Sequence, residues 1–228
     1  AMALLMQEIV GGLFDVTGDP FWNSLPFWAL IFYVIFVGIN IVGIEATMRF
    51  TVTITLLSLA VLAFFILAAI FSGKLDFNLW TNIAKDGAGI PGGGGPMLPF
   101  GIEGIFKSLP FAIWFFLAIE EVPLAAEESM DPRRDVPKGS VWGMHTLLIA
   151  AILVLVFNTA LPGGAFLYGA SGFPLLDGLY AIFGQNNATE LLGLLFMIGL
   201  VASFFTIIFA YGRNTYSLSR AGYFPKFL

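Results

Sequence analysis

Read for hydrophobicity alone, the chain alternates between long apolar runs and connections rich in glycine, proline or charge. Four runs carry no Asp, Glu, Lys or Arg: Ser24 to Ile44, Phe50 to Gly73, Gly139 to Pro162 and Leu191 to Gly212. A bilayer core about 30 Å thick takes about 20 apolar residues of helix to cross, so each run is long enough to span it. A fifth run, Ile102 to Glu128, is interrupted. It holds the apolar stretch "PFAIWFFLAI" but also Pro110, Pro123 and the adjacent carboxylates Glu120 and Glu121. Residues 1–14 read as the end of one more helix, too short to cross alone. The pattern predicts an all-α, polytopic membrane protein.

The connections differ on the two sides. Residues 74–101 and 163–190 are long and rich in Gly and Pro, and are expected to hold little regular structure beyond a short interfacial helix in the second. The opposite connections are short and basic: Arg49, then Arg133, Arg134 and Lys138 in "DPRRDVPKG", then Arg213, Arg220 and Lys226 in the tail. Only Lys74, Lys85 and Lys107 fall on the other side. Positive charge favours the cytoplasmic side, which assigns loop 129–138 and the C-terminus to the cytoplasm and the glycine-rich loops to the outside. A chain that starts outside and in mid-helix reads as a fragment, with further helices expected before Ala1 and after Leu228. The sequon "NAT" at 187–189 is too short a pattern to carry weight.

Composition narrows the class. Of the 228 residues, 58% are hydrophobic and 11% charged, and the mean hydropathy is +0.91. A soluble domain carries about 25% charged residues, so too little polar surface is present to cover a water-soluble globule. The net charge of −5 argues against a nucleic-acid partner. With no Cys and one His, disulfides, thiolate chemistry and multi-histidine metal motifs are excluded, and no cofactor is expected. His145 reads as a packed or interfacial histidine, with a pH-sensitive site as the alternative.

The interrupted run is where chemistry is expected. Pro110 and Pro123 each remove a backbone N–H and press on the carbonyl four residues earlier, at Phe106 and Ile119. In lipid an unsatisfied backbone group costs several kcal/mol, so such a break survives only against protein or a wet cavity. A carboxylate at depth adds roughly 2.5–3.5 kcal/mol. Either Glu120 lies close enough to the cytoplasmic interface to be solvated, or the helix is discontinuous and turns its peptide groups toward a substrate, as in carriers built from inverted repeats. Trp114, Phe115 and Phe116, just before the break, would then cover a cationic substrate, or else serve as packing bulk.

At "FFLAIEE…AAEESMDPRRDVPKG" the chain resembles the amino acid–polyamine–organocation (APC) permeases, whose sixth helix and following loop read F-x-G-x-E, a-E-E and x-P-x-R-D-I-P. The matching positions are Phe116, Ala118, Glu120, Glu127, Glu128, Pro132, Arg134, Asp135 and Pro137. "YGRNTYSLSRAGYFP" resembles the family's segment after helix 8, and "GINIVGIEATMRF" its turn from helix 4 to helix 5. The wording of these stretches is nearest the ethanolamine permease branch. The resemblance implies that residues 1–228 form a partial permease domain, a fragment of a LeuT-like fold of two inverted five-helix repeats. It would hold the end of helix 3 and helices 4 to 8, at 24–44, 50–73, 102–128, 139–162 and 191–212. Trp114 and Leu117 would be an aromatic gate and an apolar wall, Phe115 to Ala118 the unwound substrate-binding stretch, and Ser203 a polar group near an ion position. Glu120 would be the carboxylate of proton-linked gating. Ala118 stands where the family has glycine, and Ser58 where some proton-coupled members have lysine, so the coupling ion, H+ or Na+, is left open.

These readings together predict a secondary transporter of amino acids or small ethanolamine-like amines, integral to the cytoplasmic or plasma membrane, with the lipid bilayer as its other partner. The pattern specifies no oligomeric state. A channel, or a membrane-embedded enzyme using the Glu120/Glu121 pair, are the alternatives. Helices 4, 5 and 8 show no polar stripe to line a pore, and no His stands near the pair.

Overall fold

A computed structural model describes residues 2–14, 20–42, 44–82, 98, 100–117 and 119–224. Regular structure among them is entirely helical: α1 (Met2–Leu13), α2 (Leu25–Val42), α3 (Ile44–Phe71), α4 (Gly101–Phe115), α5 (Pro132–Thr159), α6 (Gly164–Ala170), α7 (Pro174–Phe183) and α8 (Asn187–Arg220). Shorter 3-10 helices cover Phe21–Asn23, Phe77–Thr81 and Ile119–Glu128. Among the described residues, Thr47–Phe71, Pro132–Thr159 and Asn187–Arg220 are each long and apolar enough to cross a membrane. The 18 residues of α2 rise about 27 Å, close to the thickness of a bilayer core.

Several helices extend past the apolar runs, for local reasons. The first turns of α3 carry the ion pair Glu45–Arg49, 2.7 Å and one turn apart, a spacing that supports helix. The start of α5 lies at Pro132, because the Asp131 carbonyl accepts from both Arg134 N–H (3.1 Å) and Asp135 N–H (2.9 Å). Pro132 therefore holds the first-turn position, where a missing N–H costs nothing. Pro137 falls inside the helix. At the start of α8, Asn186 Oδ1 accepts from the N–H groups of Ala188 and Thr189, both at 3.0 Å, capping two otherwise orphaned donors. The same helix runs on to Arg220, where Arg213 lies over the Phe209 ring at 5.3 Å and Arg220 over Tyr216 at 5.7 Å.

The chain forms two compact units, Ala1–Phe64 with Phe183–Leu228, and Phe65–Ile182. In the first, α1 packs on α8 and α2, and α2 also packs on α8. Aromatic residues one turn apart on α2 build a ladder, Trp28 to Phe32 to Phe36, each step 6.2 Å between ring centres. Phe36 meets Phe204 and Phe205 of α8 edge-on at 5.9 and 6.1 Å, and Phe205 meets Phe50 of α3 at 4.7 Å. Phe205 is completely buried, so this cluster anchors three helices through ring contacts worth more than their area alone. Asn23 ties α1 to α2: its amide donates to the Gln7 carbonyl (3.2 Å) and its Oδ1 accepts from the Trp28 indole (3.0 Å).

In the second unit, connections expected to be loosely structured are fastened to the C-terminal end of α5. The Asp76 N–H donates to the Ala160 carbonyl (2.8 Å) and the Trp80 indole to the Val156 carbonyl (3.1 Å), which satisfies groups left open at a helix end. Asn82 bridges the turn into α6, donating to the Gly163 carbonyl and accepting from Phe166 N–H, both at 2.9 Å. Lys74 Nζ donates to the Ala181 and Ile182 carbonyls, each at 2.8 Å. That places a cation on the negative end of α7. Gly164 has a φ of +62°, and a Cβ there would stand 2.6 Å from the Leu79 carbonyl, so the turn requires glycine. Tyr168 is buried and donates to the Pro162 carbonyl at 2.9 Å. Burial, and behind it the Asp177 carboxylate, pushes its hydroxyl up to about 12.

Candidate functional site

Helix α4 carries Pro110 inside it and continues past that proline to Phe115. The ladder stops at Phe116, whose N–H is shared between the carbonyls of Ala112 (3.4 Å) and Ile113 (3.2 Å). This drift from a four-residue to a three-residue step is how an α-helix tightens as it ends. The turn at 116–117 follows, and the chain resumes as the 3-10 helix Ile119–Glu128, with Pro123 inside it. Ten residues of 3-10 helix is far beyond the three or four that its strained hydrogen bonds ordinarily sustain. From Gly101 to Phe115 α4 rises about 21 Å, about two-thirds of a bilayer core. The change of winding falls at 116–117, inside the apolar stretch 110–119 and three residues ahead of the Glu120/Glu121 pair.

The 3-10 segment is held by α5. A Cβ on Gly139 would meet Val122 Cγ1 at 3.6 Å, and one on Gly143 would meet Ile119 Cδ1 at 3.3 Å. These two glycines, one turn apart, form the small-residue seam that lets helical segments approach closely in a membrane. At the lower end Ser129 Oγ donates to Asp135 Oδ2 at 2.9 Å, so Asp135 engages the connection from α5's first turn. His145 Nδ1 donates to the Val141 carbonyl of its own helix at 2.7 Å, with the Trp142 ring 6.4 Å away.

Phe115 and Leu117 flank the end of α4 and are 48% and 51% exposed, so both faces are open to a ligand or to further protein. Phe115 packs edge-on against Phe116 at 5.6 Å. The side chains of Trp114 and Glu120, and Ala118 altogether, lie outside the described residues. Ser203 belongs to the other compact unit, on α8, where it is exposed and its carbonyl accepts from Thr206 Oγ1 at 2.9 Å. Phe115, Leu117 and the backbone on either side of Ala118 are thus grouped by local winding, whereas Ser203 stands on a different element.

One buried acid escaped the reading of apolar runs. Glu190, in the first turn of α8, is 5% exposed. It reaches α1 so closely that a Cβ on Gly12 would lie 3.0 Å from its Oε1. A carboxylate there lies at the positive end of the α8 dipole. Its signal in the sequence is faint: an acid one residue ahead of the run from Leu191, matched by the pair Gly11–Gly12 in α1.

These features, with three helices among the described residues long and apolar enough to cross a bilayer, belong to an integral membrane protein. The family model for amino acid permeases matches residues 2–228. The chain therefore belongs to that family, within the APC superfamily. It is 30% identical to an uncharacterized transporter of Rhizobium meliloti over 97% of its own length and 44% of that protein. It is 24% identical to the methylthioribose transporter of Bacillus subtilis over 80% of its length and 36% of that protein. To the L-asparagine permease of Streptomyces coelicolor it is 23% identical, over 95% and 45%. The chain spans less than half of each of these relatives. No solved structure matches it significantly.

Proposed function

We propose that this chain is the substrate-handling part of a secondary carrier that moves an amino acid or a small amine across the membrane by alternating access. The observation that carries the reading is the end of α4 at Phe115, inside an apolar span, followed by a 3-10 helix braced on Gly139 and Gly143. The C-terminal carbonyls of α4 hold the negative end of a helix dipole at membrane depth, which suits an ammonium group. Phe115 and Leu117, half-open beside that end, supply apolar cover, and Trp114 would add an aromatic face. The names of the relatives, an L-asparagine permease and a methylthioribose transporter, support a small polar solute without choosing one.

In this reading Glu120 takes up a proton in one state and releases it in the other, and the bias equals the difference in proton affinity between the two. Ser203 is assigned to the path on α8, and H+ or Na+ is the coupling ion. The carrier reading is preferred to an enzyme that uses Glu120 and Glu121 as an acid–base pair. Uptake of labelled amino acids and ethanolamine into proteoliposomes of the complete protein tests this, with Glu120→Gln as the variant. Saturable uptake that loses its pH dependence in the variant supports the proposal. Unchanged pH-dependent uptake refutes the role of Glu120, and chemical conversion of the solute refutes the carrier.

A further inference from the structure

Helix α5 sorts its residues by size around its axis. At 100° per residue Gly139, Gly143 and Ala150 fall within about 40° of one another. The first two receive Val122 and Ile119 of the 3-10 helix. Trp142, His145, Ile149 and Ile152 fall within about 80° on the other side, spaced as i, i+3, i+7 and i+10. All four are exposed, and Leu148 and Leu155 widen the exposed arc to about 140°. One partner helix would take a narrow seam of two positions in seven, so an arc this wide and bulky fits hydrocarbon chains better. Close helix contacts in a membrane use small residues, and α5 carries those in the row that meets the 3-10 helix.

Both ends of the exposed row are marked. Trp142 is 72% exposed, and Lys138, one turn earlier in the same row, is exposed as well. Toward the other end the Trp80 indole donates to the carbonyl of Val156, which lies in the row fourteen residues after Trp142. Phe77 packs edge-on against Trp80 at 5.1 Å, and both rings are exposed. Fourteen residues rise about 21 Å. The Trp142 side chain leaves its helix toward the N-terminus, which lengthens the span. The two indoles therefore bracket most of a bilayer core about 30 Å thick. The polar side chains just past Trp142 are satisfied within α5: His145 Nδ1 pairs with the Val141 carbonyl at 2.7 Å and Thr146 Oγ1 donates to the Trp142 carbonyl at 2.9 Å.

We infer that this face of α5 lies against phospholipid, with Lys138 at the headgroup phosphates, Trp142 and Trp80 in the two interfacial layers, and Ile149 and Ile152 against acyl chains. Cation, aromatic, aliphatic and aromatic along one row follow the order of polarity across a bilayer. The 3-10 helix is braced in the other row, so lipid on this face turns the interrupted span toward the protein interior. The inference does not need the carrier reading.

The test is spin labelling of the complete protein in phosphatidylcholine vesicles. Nitroxides on Ile149→Cys and Ile152→Cys, one at a time in a background freed of other cysteines, should meet molecular oxygen several-fold more than a water-soluble nickel chelate. A label on Ala150→Cys, in the row of Gly139 and Gly143, should meet oxygen less. Low access to both reagents at 149 and 152, as when further protein covers the face, would overturn the inference. So would ready access to the nickel chelate, as in a wet pore. Fluorescence reads the two ends separately. Lipids brominated near the top of their acyl chains should quench tryptophan emission, and Trp142→Phe and Trp80→Phe should each remove part of the quenchable signal. An unchanged quenchable signal in either variant would overturn the placement. Neither readout requires transport.

Discussion

Replacing Gly178 with alanine probes how α7 packs in the second unit. Gly178 is helical, within α7, so alanine should help the helix by about 0.5–1 kcal/mol in isolation. The added Cβ, however, would collide with Asn158 Oδ1 and stand 2.9 and 3.0 Å from two atoms of the Phe65 ring. Ordinary contacts between such atoms lie near 3.5–4.0 Å, so Asn158 would have to move by about 1 Å and the ring by more than about half an ångström. Neither is free to do so: Phe65 is wholly buried, and the Asn158 side chain, 3% exposed, donates to the Pro174 carbonyl at 3.1 Å. Overpacking of this kind costs about 1–3 kcal/mol, which outweighs the helix preference and leaves about 1–2 kcal/mol of destabilisation. Purified protein in detergent, heated and scored for its remaining monodisperse fraction, should show an apparent Tm lower by about 2–6 °C. Adding Phe65→Leu should recover part of that loss, because it removes ring atoms from the collision. An unchanged or higher Tm for Gly178→Ala would refute the close packing of α7 on Asn158 and Phe65.

Three further outcomes are expected. Gly143→Ala asks only the tip of Ile119 to move, from a 3.3 Å contact, and should leave stability within about 0.5 kcal/mol of wild type. Gly143→Leu should displace the 3-10 helix and lower uptake about tenfold or more; equal uptake by the two variants would show that the seam does not position that helix. Asn186→Ala removes the acceptor for two N–H groups of α8 and should cost about 1 kcal/mol locally, read as about fivefold faster hydrogen exchange at residues 188 and 189. Unchanged exchange would contradict the cap. Burial pushes the Tyr168 hydroxyl up to about 12 from the 10.0 of the free side chain. Because the folded value is the higher, its contribution is complete below about pH 10 and is lost as pH rises from there toward about 12. The Tm of wild type should therefore fall more steeply than that of Tyr168→Phe above about pH 10, and parallel curves would refute the shift.

Much of the helical content was legible because hydrophobicity adds up along the chain. Apolar runs at Phe50 to Gly73, Gly139 to Pro162 and Leu191 to Gly212 coincide with long helices. Their ends were harder to read, since ends are set by single hydrogen bonds. The start of α5 depends on the Asp131 carbonyl and that of α8 on the Asn186 side chain. The interrupted span shows the same division. Two prolines and a carboxylate pair marked the segment, yet Pro110 stays inside α4 and the winding changes six residues later. A proline removes one hydrogen bond, which neighbouring turns absorb; a change of winding over ten residues needs a partner surface, here Gly139 and Gly143 of α5. The candidate site was legible as a neighbourhood. Its grouping of Phe115 with Leu117, and the position of Ser203 in the other unit, required coordinates.

Chain composition and the order of apolar and charged residues were enough to establish a multi-helix membrane protein and, through its motifs, membership of the amino acid permease family. Both properties are carried by residues near one another in sequence, and transfer from water to lipid depends on local content alone. Packing decided what no window along the chain contains: Lys74 on the carbonyls of Ala181 and Ile182, Glu190 buried against Gly12, and a cleft that joins Asn40, Thr47 and Arg213. These contacts join positions far apart in the sequence, and each forms only when whole helices have found their neighbours.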